Sequence, residues 1–147
     1  MTQAPETWIV VADTAGARVF EERRRLGPLT ERTDLGLVSQ EDRHLGSQQG
    51  TVTDRFGYGR HGSGENDPAV KAEHRFLGDL AKRIDEAAVS GAFEHLVLMA
   101  PPTALGVLRS HLKPATARRI EACDPHERHT ETAEELRHRL SALRAAL

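Results

Sequence analysis

Two unbroken apolar runs dominate the pattern of the chain. Trp8-Ile9-Val10-Val11-Ala12 and Leu96-Val97-Leu98-Met99-Ala100 have strand length and no alternation. Such runs suit strands covered on both faces, and they predict central strands near residues 7–13 and 94–100. Pro101-Pro102 stops the second run, because neither residue can donate to a sheet ladder. Leu105, Leu108 and Leu112 then recur at helical spacing, with Thr103 as the expected cap. Strand, tight turn and helix make half of a parallel βαβ unit.

The remaining pattern supplies layers around these runs. Asp13-Thr14-Ala15-Gly16 reads as a turn, and Ala17 to Glu21 alternates like a half-buried antiparallel strand. Arg23-Arg24-Arg25 reads as a solvated turn, and a third strand follows near residues 30–37. Asp67 as N-cap and Pro68 at the first helical position open a helix that runs to about Ser90. Val70, Leu77, Leu80, Ala81, Ile84 and Ala88 form its inner stripe, and Gly91 ends it. A weak fifth strand is expected at 119–123. A last helix is expected from near Thr130, with Ala133, Leu136, Leu140 and Leu143 turned inward.

The order β-β-β-α-β-α-β-α, with right-handed crossovers, predicts an α/β fold. Its five-stranded mixed sheet has order 3-2-1-4-5 and helices on its faces, a ribonuclease-H-like arrangement. The whole chain, 1–147, reads as one domain with a long irregular loop at about 39–67.

Composition narrows the function classes. Hydrophobic residues make up 38% and charged residues 29%, with a formal net charge of -2, so a generic nucleic-acid coat or membrane-surface binder is not expected. The single cysteine, Cys123, rules out an internal disulfide and reads as an inert core residue. MTQAPET lacks a basic start and an apolar core, so no signal peptide is expected, and the cytoplasm is the default. No apolar run approaches the roughly 20 residues needed to span a bilayer.

Three groups of residues could carry chemistry. Asp13, Glu73 and Asp124 should meet at the edge formed by the carboxyl ends of the parallel strands, where three carboxylates could hold Mg²⁺ for phosphodiester hydrolysis. The fourth strand offers no acid there, and turns account for Asp13 and Asp124, so no metal, cofactor or catalytic residue is assigned. The segment Asp54-Arg55-Phe56-Gly57-Tyr58-Gly59-Arg60-His61 sets cations and aromatics among glycines. Arg55, Arg60 and His61 could bind phosphate while Phe56 or Tyr58 stacks on a base; ion pairing of Asp54 with Arg55 is the structural alternative. His126-x-x-His129 has the shape of a metal pair but lacks a third ligand at sensible spacing, so solvated histidines are expected.

Read in order, these motifs resemble a family known as protein required for attachment to host cells. The resemblance rests on Trp8 to Asp13 with Ala17 to Phe20, on Asp54-Arg55 and Gly59-Arg60-His61, and on Asp67-Pro68 with Phe76. It also rests on Phe93 to Pro102 with Leu105-Gly106 and Leu108-Arg109. That family is similar to the middle domain of archaeal and eukaryotic class-1 release factors. There a Gly-Gly-Gln before the first helix hydrolyses peptidyl-tRNA. Here Gly62-Ser63-Gly64-Glu65 stands in its place. A carboxylate only accepts and repels hydroxide, so release-type hydrolysis is not expected. The resemblance implies a non-catalytic module that contacts ribosomal or transfer RNA through Asp54 to Glu65; Glu73, whose helical spacing turns it to the sheet or its margin, is a further binding candidate. The alternatives are an interaction protein acting on attachment through a protein partner, and the metal-dependent nuclease above.

Overall fold

The structure, a computed structural model, describes residues 6–38 and 67–147. Strand β1 (Thr7–Ala12) lies at the centre, with all six residues buried. It pairs antiparallel with β2 (Gly16–Glu22) on one side and parallel with β5 (His95–Met99) on the other. Strand β6 (Ile120–Asp124) extends the parallel half beyond β5. The far edge of β2 is shared by two short strands, β3 (Thr30–Glu31) and β4 (Leu37–Val38). The order of sheet positions is therefore 3-2-1-4-5, as the pattern predicts.

Helix α1 (Pro68–Val89) links the meander to β5, and α2 (Pro102–His111) with the single turn α3 (Pro114–Ala117) links β5 to β6. Helix α4 (Ala133–Ala145) closes the chain. Alternation along the central strands divides the core. Trp8, Val10, Leu96 and Leu98 pack with Phe76, Leu77, Leu80, Ile84 and Leu108 under α1 and α2. Ile9, Val11, Val97 and Met99 pack with Leu136 and Leu140 under α4. The unbroken apolar runs follow from this: each strand has a helical layer on both faces. Val10, Leu80, Ile84 and Leu98 are all at most 2% exposed.

Four local expectations are corrected. The third strand is not continuous over 30–37. Phe20 pairs with Glu31 and Ala17 with Leu37, three steps along β2 against six along its partner. A 3₁₀ turn at Thr33–Leu35 absorbs the surplus. Thr103 is not the cap of α2; Pro101 occupies that position and Leu105 N donates to its carbonyl. Two prolines already preset φ and remove two of the four N–H groups that a helix start leaves without an intrahelical partner. Helix α4 starts at Ala133 and not near Thr130, because Thr132 and Glu135 form a reciprocal capping box. Strand β6 runs one residue further than expected, so Asp124 belongs to the sheet and is 4% exposed.

The long helix behaves as its sequence implies. Asp67 accepts from Ala69 N, Pro68 follows, and Gly91 closes the far end at φ 81°. No helix among the described residues is long and apolar enough to cross a membrane.

Candidate functional site

The carboxyl ends of β1, β5 and β6 share one edge of the sheet, the edge where open α/β sheets gather ligands. α1 returns the chain to the start of β5, so its N-terminus stands at the same edge. Asp13 follows β1, and its Oδ1 accepts from Ala15 N and Gly16 N, both at 2.8 Å. That is the turn role expected of it. Asp124 does more than end a strand. Its buried carboxylate takes His126 Nδ1 at 2.5 Å on one oxygen and Arg128 Nε at 3.1 Å on the other.

Glu73, on the second turn of α1, is half-buried at the helix margin. Partial desolvation, reinforced by Asp67 and opposed by His74, raises its carboxyl above the usual range. The three acids do not make one ion site. Among the described residues, the groups whose donor atoms lie within 4.8 Å of one another are Asp13–Glu127–His129 and Glu6–Glu94–His95. Neither includes Glu73 or Asp124. Asp54, Arg55, Arg60, His61 and Glu65 lie outside the described residues.

The two histidines of His126-x-x-His129 serve different carboxylates. His126 bonds Asp124, while His129 Nδ1 stands 3.8 Å from Asp13 Oδ2. Arg18 adds a brace that local sequence reading could not see. Its guanidinium pairs with Glu31 at 2.8 Å and donates to the carbonyls of His129 and Glu131 at 2.7 and 2.8 Å. The connection from β6 to α4 is thus held against the first half of β2. Cys123 is half-exposed, and desolvation, partly opposed by Arg109, pushes its thiol up. That is the inert direction expected of it.

Charge is distributed unevenly between the two faces. On the α4 side, Arg18, Arg25, Arg32, Arg128, Arg137, Arg139 and Arg144 are each tied to a carboxylate. The Arg23–Arg25 turn is therefore only partly solvated, since Arg25 reaches Glu121 at 2.5 Å. On α2, α3 and their flanks Arg109, Lys113 and Arg118 are exposed. From His95 to Ile120 the chain carries no acidic residue at all. A cleft of 510 Å³ between α1 and the α2–α3 corner sets Lys82, His111 and Lys113 beside Asp85 and Glu86. Asp85 is committed to the corner, accepting from Lys113 N at 3.2 Å.

No curated protein matches the chain. A family model described as "Protein required for attachment to host cells" matches residues 8–140, from the first core strand through most of α4. The chain belongs to that family.

Proposed function

We propose that this protein is a non-catalytic binding module whose partner is RNA. The contact runs through the Asp54 to Glu65 segment, and the α2–α3 corner offers a second cationic surface. The observation that carries this reading is the acid-free stretch from His95 to Ile120, which exposes Arg109, Lys113 and Arg118. Exposed cations on a stretch without acids suit a phosphate backbone, which rewards charge neutralisation without apolar contact. A protein partner would look for a buried apolar anchor. The large apolar side chains exposed among the described residues, Leu26, Val89 and Leu147, are dispersed and do not make one. Association with ribosomal or transfer RNA would act on host attachment indirectly, through expression or regulation.

The test is co-sedimentation with ribosomal particles, and binding to purified RNA, across a salt series. Each arginine on a phosphate should contribute about one unit to the salt slope. The Arg55→Ala, Arg60→Ala double variant should keep its circular dichroism spectrum and lose association. A wild type that never associates at low salt, or a double variant that binds equally well, refutes the reading.

A further inference from the structure

In the segment after β6 the side chains alternate in direction. His126 and Arg128 turn to Asp124, while Glu127 and His129 turn to Asp13. The two sets end in opposite electrostatic states. Asp124 is matched by a guanidinium, as are Glu31, Glu131, Glu121 and Glu22 elsewhere on this side. Asp13 and Glu127 have no lysine or arginine partner among the described residues. They are left with one imidazole, and the three donor atoms lie within 4.8 Å of one another.

We propose that Asp13, Glu127 and His129 bind one divalent transition-metal ion, with zinc the best fit. The donor set is two carboxylate oxygens and one imidazole nitrogen, which suits zinc and its neighbours better than Mg²⁺ or Ca²⁺. The charge balances, because two carboxylates meet a divalent cation. Arg18 is neutralised by Glu31, and Arg128 by Asp124 and Glu131, so neither guanidinium is left to oppose the ion.

The geometry also fits. Ligands around zinc at about 2.0–2.2 Å stand roughly 3–3.5 Å from one another. His129 Nδ1 and Asp13 Oδ2 are 3.8 Å apart, too far for a hydrogen bond and close enough for a shared ion after a small closure. The supporting shell is in place. Asp13 Oδ1 is fixed by two backbone N–H groups, which leaves Oδ2 to the ion. Arg18 holds the His129 carbonyl, and His129 N donates to Glu127 Oε2 at 3.2 Å. A bound ion would clamp the β6–α4 connection onto the β1–β2 turn.

The similar group at Glu6, Glu94 and His95 is more open to solvent than that at His129, whose side chain is 30% exposed. Its histidine is 44% exposed and stands 3.7 Å from Glu6, and no guanidinium of the described residues braces it. It serves as the internal control.

The experiment is calorimetric titration of the full chain with Zn²⁺, with Mg²⁺ and Ca²⁺ in parallel arms. Wild type should take up one Zn²⁺ per chain and neither of the others. Asp13→Asn keeps the turn acceptor, Glu127→Gln keeps the acceptor for His129 N, and His129→Gln keeps a polar side chain, so all three should fold. Each should weaken Zn²⁺ binding at least tenfold and remove the zinc-dependent rise in melting temperature. His126→Ala and His95→Ala should leave both readouts unchanged. No saturable binding, binding indifferent to His129→Gln, or binding lost with His95→Ala overturns the proposal.

Discussion

Arg144→Ala removes the guanidinium that neutralises a carboxylate sealed beneath α4. Arg144 makes a paired contact with Glu22, 2.7 and 2.8 Å, and reaches Glu121 at 3.0 Å. The side chain of Glu22 is 1% exposed and that of Arg144 10%. Burial pushes the Glu22 carboxyl up, but Arg144 and the Leu26 N–H outweigh it and hold it below its ordinary value. Without Arg144 the Leu26 N–H at 2.9 Å and the neighbouring Thr7 hydroxyl are left to support the charge. Removing one partner of a buried pair costs about 3–5 kcal/mol. Proton uptake sets a ceiling on the charge-burial part. Neutralising a carboxyl of reference pKa about 4.3 at pH 7 costs about 1.4 kcal/mol per unit, roughly 3.7 kcal/mol. The loss at pH 7 should therefore be about 3–4 kcal/mol, including a few tenths for a cation removed from the last turn of α4.

The pH dependence carries the decisive sign. In the wild type Glu22 has a lowered folded pKa, so its contribution is present above about pH 4.3 and is lost as pH falls through the folded value. In the variant, burial, the largest influence, is opposed only by the Leu26 N–H and the Thr7 hydroxyl and raises that pKa. The contribution then reverses, being complete below the unfolded value and lost as pH rises through the raised one. Urea unfolding of both proteins at pH 7 and near pH 4, with linear extrapolation, measures the difference. The gap should be widest at pH 7 and should narrow toward pH 4. A loss below about 1 kcal/mol at pH 7, or a gap independent of pH, refutes the assignment of Glu22 as a sealed, Arg144-dependent charge.

Two further outcomes are expected. Leu98 is wholly buried between β1 and β6, so Leu98→Ala should lower stability by about 2–5 kcal/mol in the same urea assay. Purified protein should not cleave RNA or DNA in a Mg²⁺-stimulated manner. The carboxylates that could serve do not converge: Asp124 is matched by Arg128 and His126, and Glu73 stands apart from the Asp13 group. Cleavage abolished by Glu73→Gln would show otherwise.

The frame of this protein is written in local pattern. Apolar runs at Trp8–Ala12 and Leu96–Ala100 specify strands covered on both faces, and the Asp67-Pro68 start and Gly91 stop specify α1. Chain order and the right-handed crossover then leave little choice of topology. These features are legible because each depends on neighbours a few residues away. The candidate site is legible only in part. Asp13 shows its turn role directly, since the acceptors and donors lie within three residues. The zinc ligands do not show themselves, because Glu127 and His129 acquire their third partner from the opposite end of the chain.

What tertiary structure alone decided is which charges are buried and which are left free. Phe20-Glu21-Glu22 reads as the polar end of a half-buried strand, yet Glu21 and Glu22 are 2% and 1% exposed. A charge can be sealed only when a counter-charge arrives with it, and Arg144 lies 122 residues further along. Likewise Arg18 is committed to Glu31 and to carbonyls of the β6–α4 connection, whereas Arg109, Lys113 and Arg118 are exposed and make no ion pair among the described residues. Composition counts these cations alike. Only the packing of α4 against β2 and β6 turns some into structural braces and leaves the others for a partner.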